Sequence, residues 1–144
     1  MNNFYAEYET YRNLDAKYEI AEKSNDTKQI ESAIDEFQAF EKTLLANGNN
    51  YFRVFELYRH MRERGNEFID VDDIHYDEVA ETLVTAFRDY DIKVFTVSVS
   101  SNRISWALIE NGCQLKGMTL INSKTKRIAS HEYEKVPAYI FEVK

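Results

Sequence analysis

The apolar residues of this chain keep a helical period as far as about residue 66 and then change, and that switch limits the folds open to it. Phe4, Tyr8, Tyr11, Tyr18 and Ala21 fall near one stripe of a 3.6-residue repeat, with Leu14 at its edge. The helix they predict ends at Ser24-Asn25, because Asp26 with Gln29 three residues on reads as the capped start of another. In that second helix Ile30, Ala33, Ile34, Phe37, Phe40, Leu44 and Leu45 form a broad stripe, and Asn47-Gly48-Asn49-Asn50 is its stop. A third helix is predicted from about Tyr51 to Arg64, with Val54, Phe55, Tyr58 and Met61 inward and Gly65 after its end. The short connections favour antiparallel neighbours.

Beyond residue 66, strands enter the pattern. Glu67 to Asp72 is a short strand candidate, followed by a helix from about Tyr76 to Tyr90 that turns Val79, Leu83, Ala86, Phe87 and Tyr90 inward. Lys93 to Val99 is β-branched and alternating, the clearest strand of the chain. Ser100 or Ser101 is placed to cap a short helix through Ile104, Ala107 and Leu108, closed by Asn111-Gly112. Cys113 to Ile121 and Pro137 to Val143 read as strands of an antiparallel hairpin, with Asn122–Val136 as a polar loop between them. If the strands near 94–99 and 114–121 were parallel neighbours, the helix between them would make a right-handed crossover. The expected fold is α+β: antiparallel N-terminal helices packed with a small mixed sheet of three or four strands and two further helices. It is expected as one domain over 1–144, helical in 1–66 and α/β in 67–144.

No apolar run approaches the ~20 residues of a membrane span. The opening Met-Asn-Asn-Phe-Tyr-Ala-Glu carries an acid where a signal peptide needs a basic and then an apolar stretch. The single cysteine, Cys113, leaves no internal disulfide framework and no Cys-rich zinc site, and it fits a reducing compartment, so a cytoplasmic protein is expected. Formal charge is −7, unevenly spread. Residues 67–91 hold nine acids and one base, whereas residues 92–144 hold eight bases and four acids. Phosphate backbones would be repelled over much of such a surface, and a basic partner would be attracted to it.

Residues that carry chemistry are sparse. Glycines at 48, 65, 112 and 117 give neither the dinucleotide nor the P-loop spacing, and Ser98, Ser100, Ser101 and Ser105 lack the flanking glycines of a nucleophile elbow. His60 stands among arginines, and His131 belongs to no zinc motif because position 135 is Lys. His75, beside Asp72, Asp73 and Asp77, is the best acid–base or oxygen-ligand metal candidate, although the segment lacks the Gly and terminal Glu of a calcium loop. Arg53, Arg59, Arg62 and Arg64 share their helix with Glu56 and Glu63, which favours pairing within it. Lys124-Thr125-Lys126-Arg127 is a small basic patch. No cofactor or resident metal is expected.

Several segments of the second half belong together. Phe95-Thr96-Val97-Ser98 before a short helix, Asn111-Gly112-Cys113 with Gly117, Asn122-Ser123, and Glu132-Tyr133-Glu134-Lys135-Val136-Pro137-Ala138 resemble an uncharacterised family of small proteins. Its members are carried by phages, plasmids and conjugative elements of Gram-positive bacteria, and the resemblance covers about residues 67–144. It carries over no site residue, but it implies a setting in which accessory genes encode inhibitors of host defence, anti-CRISPR proteins among them. The expected function is therefore a non-enzymatic protein-binding module. Its acidic face, Asp70, Asp72, Asp73, Asp77 and Glu78, would meet a basic or nucleic-acid-handling protein, with no direct contact to nucleic acid or membrane. Two alternatives stand beside it. One is a small enzyme or ligand-binding domain using His75 and its carboxylate neighbours, or Cys113. The other is a regulatory homodimer through Tyr5, Tyr8, Tyr11 and Tyr18 of the first helix.

Overall fold

A computed structural model describes residues 4–44, 51–71, 80–128 and 132–144. The chain divides at Asn49/Asn50 into two compact units. The first holds α1 (Phe4–Ser24) and α2 (Thr27–Thr43). Asn25 takes a φ of 57°, a left-handed conformation that asparagine tolerates and that ends α1 within one residue. Asp26 then caps α2, its carboxylate accepting the Lys28 N–H at 3.0 Å. The tight turn folds the helices back on each other, and Tyr11 and Tyr18 close edge-on around Phe37 at centroid distances of 6.2 and 6.5 Å. Two helices cover only part of a broad apolar stripe: Ala33 is buried in α2, while Ile34 remains exposed.

The second unit runs α3 (Tyr51–Arg64), β1 (Ile69–Asp70), α4 (Ala80–Asp89) and β2 (Val94–Ser98). A 3-10 turn (Val99–Ile104) then leads into α5 (Ser105–Glu110), followed by β3 (Cys113–Ile128) and β4 (Glu132–Val143). The architecture is α+β, with a four-stranded mixed sheet in the order β1-β2-β4-β3. β1 lies parallel to β2, and β4 is antiparallel to both β2 and β3. The strands on either side of α5 therefore point the same way without being neighbours, because β4 is inserted between them.

Several local expectations shift. α3 packs on α4 and β1, so the helical stretch of the first 66 residues is shared between the two units. Contact with several elements, β3 among them, widens its buried arc to include Leu57 with Val54 and Phe55, while Tyr58 and Met61 are only half-buried. The short helix α5 has no serine cap: it grows out of the 3-10 turn, which moves its N-cap to Ile104. Much of the expected polar loop 122–136 is paired strand, since a ladder is built from backbone groups and does not require apolar side chains. The cost appears as a slip in register: Asn122 faces Lys135 while Arg127 faces Tyr133.

The core of this unit is aromatic. Phe87 of α4 lies 4.9 Å from Phe95 of β2, which stacks on Phe141 of β4 at 5.7 Å, and Phe55 of α3 meets Tyr90 at 5.7 Å. β2 is buried on both faces from Phe95 to Ser98, so its sequence alternation does not mark a solvated side. Among the described residues no helix is long and apolar enough to cross a membrane.

Candidate functional site

Of the acidic face expected from the sequence, Asp72, Asp73, Asp77 and Glu78 lie outside the described residues, as does His75. Asp70 is described and does not stand on a solvated face; it is 5% exposed. Pairing of β1 with β2 sets Asp70 beside Thr96, and the Thr96 hydroxyl donates to its carboxylate at 2.7 Å. A carboxyl group held in this way is part of the sheet's interior, where hydrogen bonding offsets the loss of water. Two arginines of α3 pair within their own helix, Arg53 bonding Glu56 at 3.1 Å and Arg59 lying 3.7 Å from Glu63. Of the four tyrosines on α1, Tyr8 and Tyr11 are buried, Tyr18 packs on Phe37 and Tyr5 is exposed.

Among the described residues of the second unit the remaining chemistry is quiet. Cys113 is buried at the start of β3, and loss of water pushes its thiol up to about 11 despite the opposing pull of Arg88. It therefore stays protonated near neutral pH, the inert form for nucleophilic attack. The raised value fixes a pH dependence. Above pH 9 the unfolded chain releases this proton and the native one holds it, so the stability conferred by Cys113 is lost as pH rises from 9 towards 11. Urea unfolding across that range should show the native protein losing more stability than Cys113→Ala, and parallel curves would refute the assignment.

A cleft of about 610 Å³ opens where α4 ends beside the start of β2 and the end of β4. Its cations are already engaged. Arg88 donates to the Lys144 and Asn111 carbonyls at 3.0 and 2.8 Å, Lys93 lies 3.8 Å from Asp91, and Lys144 bonds Glu142 at 2.8 Å. The hydrogen bond and charge of Lys144, with Lys116 beyond, hold the Glu142 carboxyl below the usual carboxylate range. Among the described residues no group of His, Cys, Asp and Glu could hold a metal ion.

What does stand open is an apolar surface. β3 is the outermost strand on its side of the sheet and exposes Leu115, Met118 and Leu120, the last two by 57% and 61%. α5 packs against β3 and exposes Trp106 by 75%, together with Ile109. Sequence reasoning missed this surface. The sequence signal was weak, because Leu115 differs in parity from Met118 and Leu120, and only the register shift between Leu115 and Gly117 sets the three on one face, paired with Phe141, Tyr139 and Pro137.

One end of that edge is closed. Gly65, at a φ of 70°, ends α3 and lets the Asn66 N–H return to the Met61 carbonyl at 3.0 Å. This places the Asn66 amide against β3, where it accepts the Asn122 N–H at 2.8 Å and donates to the Asn122 carbonyl at 3.2 Å. The Asn122 side chain answers by donating to the Arg64 carbonyl at 2.6 Å. The Asn66 amide thus stands where one residue of a neighbouring strand would.

Residues 53–143 match the model of a family described as a domain of unknown function, DUF7698. No curated protein matches the chain, and no solved structure does.

Proposed function

Starting from a chain that belongs to the DUF7698 family, a domain of unknown function, we propose that it works by contact, as a protein-binding module without catalysis of its own. One observation carries this reading: five large apolar side chains, Trp106, Ile109, Leu115, Met118 and Leu120, stand exposed on two elements that pack together. Exposed apolar surface of this kind costs solubility and typifies protein interaction sites, where tryptophan is enriched. The charge asymmetry of the sequence supports an inhibitor of a nucleic-acid-handling protein, such as a bacterial defence nuclease. In this version Asp72, Asp73, Asp77 and Glu78, which lie outside the described residues, supply the attraction to a basic partner.

The test is a photo-crosslinking amino acid in place of Trp106, introduced in the cell that encodes the protein, with a matched site at exposed Glu81. A discrete protein adduct is expected at position 106 alone, and it should disappear when Met118 and Leu120 are both changed to glutamine. No adduct, or the same adducts at both positions, would sink the reading.

A further inference from the structure

We infer that the open stretch of β3 between Lys116 and Asn122 receives a short extended segment of a partner protein as an added strand, a segment apolar at alternate positions and acidic at its ends. The inference deepens the protein-contact reading above and rests on it.

The backbone of β3 shows which groups are offered. Leu120 faces Pro137 across the ladder, and proline has no N–H to give. That pair is therefore one of the non-hydrogen-bonded pairs of an antiparallel ladder, and the N–H and C=O of Leu120 turn away from β4. Asn122, two residues on, obeys the same parity, since its N–H and C=O are the ones met by Asn66. Met118, two residues back, follows. Met118 and Leu120 thus present two N–H and two C=O groups outward, and among the described residues no strand lies beyond β3 to take them. Their side chains are the exposed apolar pair already noted.

The stretch is bounded at both ends. On one side the register slips between Leu115 and Gly117, a bulge that turns the edge aside. On the other the Asn66 amide occupies the edge at Asn122. Edge strands are commonly defended by bulges, charges or cover, and here the defences stand at the margins and leave the middle clear. A peptide laid along this window would gain main-chain bonds to Met118 and Leu120 and set alternate side chains beside theirs, as in strand addition at other sheet edges.

Charge and length select the occupant. The described cations of the hairpin stand at the two ends of the window, Lys116 at its start and Lys135 reaching the Asn122 Oδ1 at 3.4 Å, and β3 itself contains no acid. Acidic flanks on the incoming segment complement these cations. A second copy of β3 fits less well. It spans 16 residues and would run across Asn122, where the Asn66 amide already stands, and it would bring its own cations to these.

The experiment is an amide-resolved NMR titration of the full chain with the synthetic peptide acetyl-Glu-Glu-Val-Thr-Val-Glu-Glu-amide. Saturable shifts are expected at the Met118 and Leu120 amides, with binding weaker by about tenfold when lysine replaces every glutamate, a gap that salt narrows. Methylating both valine nitrogens of the peptide should abolish binding, a control that leaves the protein untouched. Leu120→Pro should also abolish it while preserving the sheet, because the N–H removed points outward. Unmoved Met118 and Leu120 amides, equal binding of the N-methylated peptide, or shifts that depend on protein concentration without peptide would overturn the inference. The last result would assign the edge to a second copy. A crosslink at position 106 that persists while the peptide fails would retire strand addition alone; loss of both would retire the contact reading with it.

Discussion

Phe95→Ala should cost the second unit about 3–5 kcal/mol, the largest loss expected from a single side chain here. Phe95 is fully buried at the centre of the sheet and touches Phe87 on one side and Phe141 on the other, so its removal leaves a cavity that three separate elements would have to close. Phe95→Leu keeps most of the volume and should cost under about 1.5 kcal/mol. Trp106→Ala, which removes a larger but exposed ring, should fall within about 0.5 kcal/mol. Urea unfolding of the three variants orders them, and a Phe95→Ala loss no larger than that of Trp106→Ala would show that the aromatic stack is not the core. The same comparison separates stability from function, because Trp106 is expected to matter to a partner and not to the fold.

Gly112→Ala is expected to be the most damaging change outside the core. Gly112 turns the chain from α5 into β3 at a φ of 94°, where a side chain is strained by roughly 1–3 kcal/mol. An added Cβ would also lie 2.7 Å from a terminal nitrogen of Arg88. A flexible guanidinium ordinarily moves aside at little cost, but this one ties α4 to the Asn111 and Lys144 carbonyls, and each such charged hydrogen bond contributes about 1.5–3 kcal/mol where it is shielded, less at this exposed site. A double-mutant cycle with Arg88→Ala divides the two effects. Gly112→Ala should cost less in the Arg88→Ala background, and strict additivity would show that the guanidinium is not disturbed.

The helices of the molecule were legible because their signals are local. Asp26 caps where a capping residue was expected, Asn25 ends α1, and Leu83, Ala86, Phe87 and Tyr90 all point into the core. Each of these depends on residues within one or two turns of the chain. Asp70 shows where such reasoning stops. In sequence it begins an acidic run, and only the parallel pairing of β1 with β2 reveals that its carboxylate has Thr96 for a neighbour. The Asn66–Asn122 clamp, between residues 56 apart, leaves no trace in local pattern at all.

By itself the sequence determined where the main helices and the central strand β2 lie, where α1 and α3 stop, and that the fold mixes the two classes, but not that the hairpin ladder runs on past Asn122. Only the tertiary structure decided that β4 is inserted between β2 and β3, leaving β3 as an edge. That order sets which apolar residues meet water, and with it the candidate site. The physical reason is that periodicity records which side chains share a face, whereas strand order follows from backbone pairing between distant segments, to which side-chain pattern contributes little.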